Sequence, residues 1–115
     1  MADDRLRRLI NRFATAAKAH HEALEAFDDV DANRRALLIA GLYDAIVREG
    51  EAGREGLLTL LDSRDDAVVG MAAVYSLSYR PERCVAVLRR IAAGEGMLAF
   101  RASVALQRWE NGDMR

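Results

Sequence analysis

The chain has 115 residues, 51% of them hydrophobic and 30% charged, with a formal net charge of −1. A chain of this length forms one domain able to bury about two thirds of its unfolded surface, so no disulfide or structural metal is needed to hold it. The composition excludes a disordered chain, and the near-neutral charge excludes a broad basic field for nucleic acid or anionic membrane.

A single proline and an abundance of Ala, Leu and Arg favour helix. Cys84 stands alone, which excludes an internal disulfide and suits a reducing cytosol. The first residues, MADDRLRRLINRF, carry charge where a signal peptide needs an apolar run, and no segment approaches a membrane span. The expected location is cytoplasmic.

Taken in order, Asp3 and Asp4 offer an N-cap for a first helix. Leu6, Ile10, Phe13, Ala17, His20, Leu24 and Phe27 then recur at spacings of four and three, a seam along one side of that helix. The segment DDVDAN breaks it, and Asp31 is the expected cap of the second helix. There Ala36, Ile39, Tyr43, Ile46 and Val47 form one apolar stripe, and Leu38, Leu42 and Ala45 another, so the second helix should be sandwiched. Gly50 and Gly53 should end it and open a loop. Residues 3–50 thus read as a helical hairpin.

Residues 52–112 read as two helix pairs. A short third helix near Arg54–Leu61 points Leu57, Leu58, Leu60 and Leu61 inward. A fourth, capped by Ser63 or Asp65 and running to about Ser78, is apolar on almost every side and has to be covered all round. Its Gly70 predicts close helix packing, since glycine costs roughly 1 kcal/mol of helix propensity. Pro81 suits the first position of a fifth helix ending at Gly94, with Val85, Val87, Leu88 and Ile91 inward. The sixth, about Met97 to Glu110, should bury Phe100, Val104, Leu106 and Trp109.

The second half repeats itself. Met71, Ala73 and Leu77 match Phe100, Ala102 and Leu106 at a spacing of 29, and Leu57, Leu58 and Leu61 match Val87, Leu88 and Ile91 at 30. Helix pairs at such a period are the signature of an α-solenoid. The words LLDSRDDAVVGMAAVYSL resemble the HEAT repeat, in which a leucine-rich helix meets an aspartate turn and an alanine-rich helix. Arg64 and Asp66 stand where prolines are usual there, and Val69 where an arginine is usual. Across FATAAKAHHEALEAFD, LLTLLDSRDDAVVGMAAVYSL, YRPERCVAVLRRIAAGEG and FRASVALQRW the chain is similar to the bacterial family called "domain of unknown function 2019". That resemblance implies a compact HEAT-like fold and brings no catalytic residues. The expected fold class is all-α: an α-solenoid-like, right-handed array of about six helices.

His21 and Glu25 share a helix face and are the weak candidates for a metal, but the third and fourth ligands are missing. Packing of His20 in the seam with His21 solvated beside it is the favoured account, and no cofactor is expected. Cys84 lies near a helix N-terminus without a histidine neighbour and reads as a structural thiol. Arg5, Arg8 and Arg12 share a face, and Arg89, Arg90, Arg101 and Arg108 lie in the last repeat, but acids are interspersed throughout.

The acids cluster better. Glu22, Glu25, Asp28 and Asp29 gather round the first turn, with Asp65 and Asp66 at the later one, and Tyr75 and Tyr79 are the aromatics suited to anchor an interface. These are the candidate partner-binding residues. The reading is a protein-binding module without enzymatic activity, monomeric or homodimeric, of an immunity or antitoxin type that blocks a partner such as a basic toxin or nuclease. The alternatives are a nucleic-acid-associated helical repeat and, behind it, a metal-dependent enzyme.

Overall fold

A computed structural model describes residues 2–113, with side chains from residue 4 onward. The described residues form six helices and no strand: α1 (Ala2–Glu25), α2 (Asp29–Val47), α3 (Glu51–Leu58), α4 (Asp66–Ser76), α5 (Pro81–Ala92) and α6 (Met97–Glu110). A 3-10 turn, Thr59–Asp62, extends α3. None of these helices is long and apolar enough to cross a membrane.

The seam of α1 is buried through Ile10, Phe13, Ala16, Ala17 and Ala23. Its N-terminus differs from expectation, because the helix is already formed at Ala2. Asp4 therefore sits inside the first turn, paired with Arg7, and the Asp3 side chain lies outside the described residues. The heptad spacing also overruns the helix. Phe27 continues the pattern in sequence but is 85% exposed, because α1 has stopped at Glu25.

The stop is a Schellman-type closure: the Asp28 N–H donates to the Ala23 carbonyl at 2.9 Å and the Phe27 N–H to the Leu24 carbonyl at 3.1 Å. Phe27 takes the left-handed position of that motif, at φ 58°, where glycine is the usual residue. The cap of α2 is Asp28 rather than Asp31, and the Asp28 carboxylate accepts the Asp31 N–H at 3.0 Å.

The second helix is not sandwiched. Ala32, Ile39, Leu42 and Ile46 are buried, whereas Ala36, Leu37 and Leu38 are exposed. The physical reason is one of supply: α2 lies along α1, meets α3 and touches α4 through Tyr43 on Tyr75, and among the described residues no helix covers the side that carries Leu37 and Leu38. Gly50, at φ 74°, turns the chain into α3, which starts at Glu51 and so takes Gly53 into its first turn. There a Cβ would stand 1.9 Å from the Ile46 carbonyl oxygen, so the junction of α2 and α3 demands glycine.

The fourth helix is the buried post of the molecule. Val69, Ala72 and Ala73 have no exposed surface, and Ala67, Val68 and Ser76 are buried beside them. It packs against α1, α3, α5 and α6, which an all-round apolar sequence requires. Asp65 caps it, accepting the Ala67 N–H at 2.9 Å, while Ser63 Oγ accepts the Asp65 N–H at 3.1 Å. Gly70 does not mark close packing: a Cβ there would lie 3.8 Å from Ile91 Cδ1, an ordinary contact, and the missing side chain opens a cleft instead.

Pro81 begins α5, and Cys84, Leu88 and Ile91 are its buried residues, with Val85 and Val87 only half-buried. In α6 the inward face is Ala99, Ala102, Ala105 and Leu106, so Phe100 and Val104 point outward, contrary to expectation. Trp109 is half-buried against the core. Of the six positions paired at spacings of 29 and 30, Ala73 with Ala102, Leu77 with Leu106, Leu58 with Leu88 and Leu61 with Ile91 are buried in both members, whereas Met71 with Phe100 and Leu57 with Val87 differ.

Candidate functional site

The α1–α2 turn brings together four of the expected acids and two large apolar side chains. Phe27 and Val30 are 85% and 72% exposed, and Glu25, Asp28 and Asp29 flank them in the chain. Glu22 is exposed one turn earlier. Leu37, also exposed, lies two helical turns beyond Val30 on the same face of α2. The result is a short apolar strip, Phe27 and Val30, with carboxylates beside it, separated from Leu37 by Asn33 and Arg34. The sequence had placed Phe27 in the core and Val30 nowhere; the signal that finds them is the pair of acids Asp28 and Asp29, since a carboxylate cap ends the seam one residue after Phe27.

The other candidates are engaged elsewhere. Asp65 is the cap of α4, and Asp66 holds Arg90 through two contacts of 3.0 and 3.3 Å that tie α4 to α5. That pairing raises the Arg90 pKa. Tyr75 packs between Phe13 and Tyr43, with ring centroids 5.7 and 4.7 Å away, and burial raises its pKa. Tyr79 donates its hydroxyl to Glu55 Oε2 at 2.6 Å, which raises its pKa, and carries the Arg80 guanidinium 4.0 Å from its ring centroid. Tyr75 therefore joins helices inside the fold, and Tyr79 ties the α4–α5 turn to α3 at the surface.

His21 and Glu25 do share a face, with Nε2 3.0 Å from Oε1, but His21 is only 17% exposed and not solvated as expected. Burial and the nearby Arg101 lower the pKa of His20. Among the described residues no group of three or more His, Cys, Asp and Glu side chains is placed to hold a metal ion. Cys84 has no exposed surface, and burial pushes its thiol up to about 11, so it is a poor nucleophile where it stands.

A second feature was not anticipated. Between α4, α5 and α6 lies a cleft of about 120 Å³, whose walls include Gly70, Met71, Val74, Ile91 and Leu98. Arg101 is the one charged side chain lining it. The signal was present in the repeat: 29 residues before Arg101 stands Ala72, fully buried.

No family model matches the chain, and no curated protein does either. Among solved structures it is similar to the protein RPA1889 from Rhodopseudomonas palustris. The TM-score is 0.85 at 22% sequence identity, covering 93% of this chain and 89% of that one. That likeness shows the fold.

Proposed function

We propose that the chain is a non-enzymatic protein-binding module, built as a right-handed HEAT-like array and belonging with the bacterial "domain of unknown function 2019" family. It engages its partner through the α1–α2 turn. The observation that carries this reading is Phe27, a bulky aromatic held at a left-handed, glycine-type position and 85% exposed. A residue in that conformation costs roughly 1 to 2 kcal/mol against glycine, and exposing an aromatic ring gains nothing for the fold. Contact with another molecule supplies the compensating gain, and aromatic side chains are the commonest interface anchors.

The carboxylates set the partner's chemistry. Glu25, Asp28 and Asp29 beside Phe27 and Val30 suit an apolar pocket set in a basic surface, where charge complementarity speeds association. A nuclease-type toxin presents such a surface, because it must hold phosphates. The narrower reading is therefore an immunity-type protein of the cytoplasm that blocks a basic toxin sterically.

The test is co-expression with a toxin-like product encoded beside the gene. The wild-type chain should restore growth, and Phe27→Gly combined with Val30→Ser should lose that rescue while melting no lower than wild type. Undiminished rescue by the double variant would overturn the reading. So would DNA binding that weakens steeply with salt, and sedimentation as a dimer that the double variant splits would assign the strip to a second copy.

A further inference from the structure

The cleft beside α4 shares no lining residue with the α1–α2 turn. Arg101 is half-buried, and among the described residues it has neither an ion pair nor a hydrogen bond. A guanidinium presents five N–H donors in a fixed fork, which leaves Arg101 able to receive a carboxylate from outside the fold. At the position 29 residues earlier, in α4, stands the fully buried Ala72. Arg90, by contrast, has its carboxylate in Asp66.

The rest of the wall is apolar: Gly70, Met71 and Val74 from α4, Ile91 from α5 and Leu98 from α6. The room exists because residue 70 is glycine, where a Cβ would already touch Ile91. A cavity of about 150 Å³ lined by aliphatic and aromatic side chains holds benzene, so about 120 Å³ admits a short apolar body. His20 lies close enough to feel the guanidinium, and its lowered pKa keeps it from adding a second cation.

We propose that this cleft binds a small monocarboxylate, its carboxylate paired with the Arg101 guanidinium and its short apolar body seated against Gly70, Val74 and Ile91. A bidentate arginine–carboxylate pair is among the stronger charge-assisted contacts, and lysine cannot replace its fork geometry. One charge and an apolar body match the site. Phosphate, with more charge and no body to fill the cleft, does not.

The test is an NMR titration of the full chain with benzoate, with benzyl alcohol and inorganic phosphate as comparators. Benzoate should give saturable shifts at Gly70, Val74 and Arg101, with benzyl alcohol and phosphate each at least about tenfold weaker. Arg101→Met, which keeps the stem, should weaken benzoate about tenfold or more, and Gly70→Leu, which fills the cleft, should abolish binding. No saturable binding of benzoate, benzyl alcohol bound as tightly, or unchanged affinity in Arg101→Met would each overturn the proposal. The comparison of the three ligands uses the wild-type chain, so it decides even where a variant fails to fold.

Discussion

The rings of Phe13 and Tyr75 meet edge to face, their centroids 5.7 Å apart at 86°. This contact joins the N-terminal hairpin to the buried post, and Tyr43 closes on the same tyrosine from α2 at 4.7 Å. Phe13 has no exposed surface, so Phe13→Ala removes a whole ring from a close-packed site. Its expected cost is about 3 to 5 kcal/mol, read as the shift in a urea unfolding curve.

Two glycines separate by what surrounds them. At Gly53 a Cβ meets the Ile46 carbonyl oxygen at 1.9 Å, and backbone cannot move aside cheaply. Gly53→Ala should destabilise by about 1 to 3 kcal/mol or more. At Gly70 the added methyl meets only Ile91, so Gly70→Ala should be neutral or stabilise by up to about 1 kcal/mol. Equal effects in thermal melts would contradict both placements.

Phe27 sits in tension between fold and function. Because it occupies a left-handed position, Phe27→Gly relieves conformational strain and removes no buried surface. The expected result is a gain of up to about 1 kcal/mol in stability, measured by denaturant midpoint, with loss of partner binding. A loss of stability would mean that the ring packs where it stands.

The pH dependence follows from His20. Burial first, then Arg101 and His21, lower its pKa in the folded chain. Below the ordinary value of about 6.5 the unfolded chain therefore binds the proton more readily, and stability rises with pH across that window. The contribution is fully present above about pH 6.5 and is lost as pH falls toward the folded value. Urea midpoints at pH 7.5 and 5.5 should differ in that direction, and His20→Gln should flatten the difference.

Much of the fold is legible in the sequence where punctuation is strong. Pro81 and Asp65 mark helix starts, the proline by needing no N–H partner there and the aspartate by accepting a free N–H. The all-round apolar run at residues 67–77 likewise calls for a central position, which α4 takes, with Gly70, Met71, Val74 and Tyr75 half-buried. Periodicity alone misled elsewhere. Two apolar stripes on α2 do not reveal which of their residues are covered, since Ile39, Leu42 and Ile46 are buried and Ala36 and Leu38 exposed, and the seam of α1 continues in letters past the residue where its hydrogen bonds stop. In α6 the alanines, not Phe100 and Val104, make the inner face, because close approach to α4 and α5 favours small residues. Of the site, the acids of the first turn were readable as charge. Phe27 was not, since its meaning comes from a backbone angle, and Arg101 was readable only by aligning the repeat.

The buried post α4 fixes α1, α3, α5 and α6, and native-state hydrogen exchange of its amides tests that most directly. The N–H groups of Val69, Ala72 and Ala73, which have no exposed surface, should exchange only through global unfolding, with the full unfolding free energy. Exchange of these amides through local openings, as fast as those on the outer face of α2, would contradict it.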